Sequence, residues 1–232
     1  MIYRMKDFEY SIKRSNRKTV AIYIRDGLVE VRAPIKTPLQ NIERFVALKE
    51  KWIIEKLEYT KTRFEQRESF QLDYGALLLY RGGEYPLVAR QGSFIGYDND
   101  TRCFYMPVGL TSAQIKKYAI EIYKMLAKRD IPKRVFELSE QMRLVPGAIK
   151  INSAKTRWGS CSGKKSLNFS WMLIMADDEV IDYIIVHELS HLIHMDHSTE
   201  FWSVVKEQLP DYEARRDRLK QLSYKLSQQD WK

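Results

Sequence analysis

Apolar and polar positions alternate through Phe8, Tyr10 and Ile12, and two apolar runs between Val20 and Val31 are broken by Asp26-Gly27. A period of two interrupted by an Asp-Gly turn predicts strands and a hairpin. Thr37-Pro38-Leu39-Gln40 follows, with a capping hydroxyl, a proline at the first helical position and a Gln three residues after the cap. Ile42, Phe45, Val46, Trp52, Ile53 and Leu57 then recur at helical spacing, which predicts one long helix over about 38–66. From Tyr74 to Pro107, the turns Arg81-Gly82-Gly83 and Asp98-Asn99-Asp100 separate short apolar runs, predicting further antiparallel strand. Thr111 and Gln114 repeat the capping-box spacing ahead of Ile115, Tyr118, Ile122 and Leu126, so a second helical region starts near residue 110, with Pro132 expected to interrupt or kink it. Beyond Pro146-Gly147, Ile149 and Ile151 open an extended stretch, and Ser162-Gly163-Lys164-Lys165 reads as a turn into Leu167–Trp171. Asp177, Asp178 and Glu179 place negative charge at the start of a helix over residues 180–194, which is apolar on most sides and therefore expected to be buried.

The order of these elements predicts an α+β fold. Residues 1–110 form an antiparallel β-rich region with its long helix, and residues 111–232 a mainly helical region with a small sheet. Composition narrows this further. Of 232 residues, 44% are hydrophobic and only 10 are Gly and 7 Pro, which excludes collagen-like, low-complexity and wholly disordered classes. Two cysteines, Cys103 and Cys161, build neither a disulfide framework nor a thiolate cage by themselves, in keeping with a reducing compartment. Residues 1–18 have no apolar core of signal-peptide length, and no run approaches the roughly 20 residues that cross a bilayer, so a cytoplasmic protein without membrane partners is expected. The 39 Lys and Arg against 30 Asp and Glu give a net charge of +9, which concentrates anions near the surface.

All four histidines fall within residues 187–197, in His187-Glu188-Leu189-Ser190-His191-Leu192-Ile193-His194-Met195-Asp196-His197. Residues four apart on a helix share a face, so His187 and His191 can aim at one cation with Glu188 beside it, the geometry of H-E-x-x-H. On an unbroken helix His197 would lie about 15 Å along the axis from His187. The chain must therefore turn to bring in a third ligand. His197 has the third-ligand spacing of H-E-x-x-H-x-x-G-x-x-H, with His194 standing where that arrangement has its turning glycine; His194, Asp196 and Glu200 are the other candidates. Three neutral imidazoles suit one zinc ion per chain and leave a coordination position open to water, and Glu188 is placed to act as general base.

The residues around this segment resemble the YgjP-like family of predicted zinc metallopeptidases, related to the SprT and WLM groups. Lys155-Thr156-Arg157-Trp158-Gly159-Ser160-Cys161-Ser162 is similar to the family's K-T-R-W-G-S-C-S strand, Asp182-Tyr183 precedes the histidine helix, and His197-Ser198 with Phe201-Trp202 is similar to H-S-x-x-F-W. The likeness extends back to Ala33-Pro34 and Trp52. It implies a zincin-like catalytic region with zinc on His187, His191 and His197 and Glu188 as catalyst.

Arg157, with Lys155, Lys164 and Lys165, is a candidate contact for an anionic substrate, and an exposed strand edge there could pair with a peptide backbone. Tyr212 is a candidate oxyanion stabiliser or else a packed ring at the base of the last helix; Cys161 is a further ligand or else a small buried thiol. Three functions compete. The first is a zinc peptidase acting on peptide or protein. The second is a metal-dependent nucleoside triphosphate pyrophosphohydrolase, motivated by the positive charge. The third is a DNA-associated SprT-like protease, using the basic residues of 124–134 and 215–225.

Overall fold

The computed structural model describes residues 2–25, 27–154 and 156–231; Asp26 of the first predicted turn and Lys155 of the K-T-R-W motif lie outside them. Two compact units result: Met1–Phe70 with Leu226–Asp230, and Gln71–Lys225 with Trp231–Lys232. The division expected near residue 110 thus falls inside the second unit.

In the first unit, β1 (Ile2–Arg4), β2 (Glu9–Ser15), β3 (Ala21–Arg25) and β4 (Leu28–Pro34) form one sheet in the order β1-β2-β4-β3. Alternation along β4 buries Val29, Val31 and Ala33 against Phe8 and Tyr10, as a half-buried strand requires. Two helices cover this core, α1 (Leu39–Leu48) through Ile42 and Val46 and α2 (Glu50–Glu68) through Ile53. The single helix expected over 38–66 is therefore broken at Lys49, whose φ of −108° and ψ of 7° leave the helical region, although neither Gly nor Pro marks the place. The expected Thr37 cap is also not formed: Pro38 is the N-cap, with no side-chain hydrogen bond. Arg63 donates to the Ser227 carbonyl, and Arg67 pairs with Asp230, tying residues 226–230 into this unit.

The second unit opens with β5 (Leu77–Tyr80), β6 (Gly83–Arg90), β7 (Gly96–Asp98) and β8 (Cys103–Pro107), in the order β5-β6-β8-β7. The α+β class holds, but the sheets are mixed: β2 runs parallel to β4 and β6 parallel to β8, where antiparallel pairing was expected. A period of two says which face is buried and nothing about the direction of the neighbour. Helix α3 (Ser112–Gln141) starts at the predicted Thr111–Gln114 capping box and continues past Pro132, uninterrupted, for 30 residues. Its buried residues on both sides of the proline, including Ile122, Leu126, Ile131, Val135 and Leu138, supply packing that offsets the one backbone bond a proline removes.

Next come β9 (Ile149–Asn152), β10 (Gly159–Cys161) and β11 (Leu167–Ser170), in the order β10-β11-β9, with β10 and β11 antiparallel and β11 parallel to β9. The predicted Ser162–Lys165 turn joins β10 to β11, and Lys165 takes a positive φ of 59°. A 3-10 helix, Trp171–Met175, leads to α4 (Asp178–Ser190), which Asp177 caps by accepting from the Val180 amide. Arg134 of α3 grips Asp182 of α4 through two hydrogen bonds of 2.7 and 2.8 Å. The β5–β6 turn packs on the same cap: a Cβ on Gly82 would come within 2.7 Å of the Asp177 Cβ. Helix α4 is thereby held at its N-terminus from two sides, and its other end carries the histidines. Helices α5 (Thr199–Gln208) and α6 (Tyr212–Ser227) follow.

Candidate metal centre

Helix α4 is buried almost all round, and Glu188 is buried with Val186 and Leu189. It stops at Ser190, where a tightened last turn takes over: the Leu192 amide bonds to the Leu189 carbonyl and the amides of Ile193 and His194 to the Ser190 carbonyl. No residue from 191 to 197 adopts a positive φ, so the chain reverses here without the left-handed glycine that His194 replaces. Ser198 then caps α5, its hydroxyl accepting from the Phe201 amide while Asp196 accepts from the Ser198 amide. The reversal returns His197 to the helix end.

His187, His191 and His197 offer ring nitrogens that all lie within 4.8 Å of one another. The Nε2 atoms of His187 and His197 stand 3.1 Å apart. Two imidazoles tethered to a tetrahedral zinc at about 2.0–2.1 Å would hold their nitrogens about 3.3 Å apart, so the spacing fits a shared cation. The protonation states fit as well. His191 donates from Nδ1 to the His194 carbonyl at 3.0 Å, which leaves its Nε2 lone pair for a metal. Burial, reinforced by His191 and His197, pushes the pKa of His187 down to about 3, and burial also lowers that of His191; neutral rings are the ligating form. The Nδ1 of His187 is buried with no hydrogen-bond partner among the described residues.

Packing carries what hydrogen bonds leave undone. Phe201, fully buried, sets its ring centroid 4.9 Å from that of His187, 4.5 Å from His191 and 4.8 Å from His197, forming a floor beneath all three. Trp202 packs on His187 and His197, and Tyr212 stacks on Trp202 at 5.3 Å and on Tyr183 at 6.5 Å. Tyr212 meets the histidines through those two rings. Truncating Phe201 to Ala is expected to cost about 3–5 kcal/mol of stability and to weaken metal retention, as measured by urea unfolding and by metal titration against a chelator.

Glu188 presses against β10. A Cβ on Gly159 would fall 2.5 Å from Oε1 of Glu188, so glycine is what lets the strand approach the carboxylate. Oε2 of Glu188 is buried without a partner among the described residues, and burial pushes the carboxyl pKa up to about 7. Cys161, one pleat further along the same face, has its thiol pKa raised by burial and then by Glu188, and it stands outside the group of ligand atoms. Arg157 lies instead on the loop before β10, exposed. Asp196 and Glu200 are exposed and outside the ligand group, and His194 enters only through its backbone carbonyl. The roles of Phe201 and Gly159 were not foreseen from sequence. Phe201 stands in the H-S-x-x-F-W likeness, which marks the residue without giving its role, and nothing in the spacing singles out Gly159.

Within the basic segments the arginines meet carboxylates of the chain itself. Arg129 pairs with Asp130, Arg134 with Asp182 and Glu137, Arg215 with Asp211, Arg218 with Asp177 and Glu179, and Lys225 with Glu84. No helix among the described residues is long and apolar enough to cross a membrane.

A family model described as YgjP-like, metallopeptidase domain, matches residues 18–222. The chain belongs to the YgjP-like metallopeptidase family. As a YgjP-like protein it is expected to work with a divalent metal in hydrolysis. Among solved structures the chain is similar to the metallopeptidase zymogen of Pyrococcus abyssi abylysin, at 21% identity and a TM-score of 0.38 over 43% of this chain and 97% of that one. It is also similar to the metallopeptidase zymogen of Methanocaldococcus jannaschii jannalysin, at 26% identity and a TM-score of 0.36 over 41% and 97%. No curated protein matches.

Proposed function

We propose that the chain is a zinc-dependent peptidase, with one zinc ion on His187, His191 and His197 and with Glu188 as general base. The observation that carries this reading is that ring nitrogens of His187, His191 and His197 lie within 4.8 Å of one another, while Glu188, the residue after His187, has a buried carboxylate oxygen with no hydrogen-bond partner among the described residues. Bound there, zinc supplies Lewis acidity that activates water and polarises a carbonyl. Glu188 takes the proton at Oε2, the oxygen left without a partner, and returns it to the leaving amine. Its burial favours this role, because a carboxyl group with a pKa near 7 both accepts and releases a proton at neutral pH.

Among the described residues strand β10 is an edge of its sheet, the position at which an extended peptide can add as a further strand. Because Gly159 of β10 touches Glu188, a peptide added to that edge would lie alongside the carboxylate. Tyr212 is held by Trp202 and Tyr183, and we assign it support of the histidine cluster rather than oxyanion binding.

The test uses purified, metal-quantified protein on a peptide library read by mass spectrometry, with phosphate and pyrophosphate release from nucleoside triphosphates measured in parallel. We expect one zinc per chain, peptide cleavage that chelation removes and zinc restores, and no release from nucleotides. His187→Ala and His197→Ala should each lose the metal and the cleavage together. Turnover of nucleotides alone, or cleavage surviving complete removal of metal, would overturn the proposal.

A further inference from the structure

Resting on the peptidase reading, a second feature beside β10 bears on which peptides are taken. Successive residues of a strand face opposite sides, so Gly159 and Cys161 look toward Glu188 while Ser160 looks the other way. The register continues that outer face into the sheet, Ser160 lying opposite Asn168, and Asn152 opposite Ser170. Together with Thr156 and Arg157 of the preceding loop, Ser160, Asn168 and Asn152 line an open cleft of about 300 Å³. None of the described lining residues is Asp or Glu.

Among the described lining residues Arg157 is the only charged one, and it makes no hydrogen bond or ion pair with a described residue. Elsewhere in this unit Arg81, Arg90, Arg134, Arg215 and Arg218 each meet a carboxylate of the chain itself. A guanidinium left free among amides and hydroxyls has a fork of donors matched to a carboxylate, and the Asn168 amide and the hydroxyls of Ser160 and Thr156 can serve the remaining lone pairs.

We propose that this cleft is a substrate subsite for an acidic side chain, with Arg157 the residue that sets the preference. A peptide paired with β10 sends alternate side chains to the two faces of the sheet. The side chain on the catalytic face leaves its immediate neighbours over Ser160, within the reach of Arg157. The favoured substrate therefore carries Glu or Asp at a position adjacent to the residue that faces Glu188.

The experiment compares matched peptides differing only in Glu, Gln, Lys or phosphoserine at each position around the cleaved bond. For the wild type, kcat/KM for the Glu peptide should exceed that for its Gln isostere by about tenfold at one position, the scale of one charge-assisted hydrogen bond. Arg157→Ala should bring that ratio close to one, Arg157→Lys should recover part of it, and Arg157→Glu should turn the preference toward the Lys peptide. A ratio indifferent to these variants, an equal loss on all four peptides, or selection of phosphoserine with none for Glu would each overturn the subsite. Binding of the same peptides to Glu188→Gln protein, followed by calorimetry, separates the two readings. Absence of Arg157-dependent discrimination there defeats the subsite alone, and absence of any cleavage by wild-type protein defeats the peptidase reading alone.

Discussion

Replacing Glu188 with Gln is expected to lower peptide turnover by about 10²–10⁴-fold while the protein keeps its metal and its fold. The two side chains have the same shape, so the contact with Gly159 and the burial against Val186 and Leu189 survive the exchange. What disappears is the capacity to accept a proton at Oε2. The proposed ligands His187, His191 and His197 are untouched, and metal analysis should still find one zinc per chain. A variant with intact metal and near wild-type kcat would remove Glu188 from the chemistry. Parallel loss of metal and activity would instead show that Glu188 acts by shaping the site.

A comparable loss is expected from a change on a different element, Gly159→Ala. The added methyl would lie 2.5 Å from Oε1 and 2.6 Å from Cγ of Glu188, well inside contact distance. Either β10 retreats from α4 or the carboxylate swings away, and a misplacement of about 1 Å in a catalytic group costs on the order of 10²-fold in rate. Overpacking adds about 1–3 kcal/mol of destabilisation, visible in a urea melt. Gly163→Ala provides the control, since it sits in the same β10–β11 hairpin and its Cβ would meet nothing within 4 Å. Full activity in the Gly159 variant would mean that the strand and the carboxylate are not coupled.

Much of the candidate site was legible because its signal is local. His187 and His191 share a helix face by virtue of four-residue spacing, and an apolar surround in the sequence already implied that α4 would be buried. The capping boxes show the limits of such signals. Thr111–Gln114 forms as its spacing predicts, yet Thr37–Gln40 does not, and the helix it was to start breaks at Lys49 without a breaker residue. Ile42, Val46 and Ile53 all reach one core, and reaching it outweighs helical continuity. Pro132 is the converse case, a breaker overruled by the apolar contacts on either side of it.

The sequence alone determined the chemistry on offer: the metal-binding residue types, their spacing along α4, the carboxylate between them, and a family likeness spread over most of the chain. Only the tertiary structure decided how the third histidine returns without a glycine turn, that Phe201 underlies all three rings, that Gly159 brings an edge strand against Glu188, and that Arg157 opens onto the other face of that strand. The physical reason is range. Helical spacing and capping act over three or four residues and can be read along the chain, whereas strand direction, close approach and burial depend on residues far apart in sequence that meet only when the core closes.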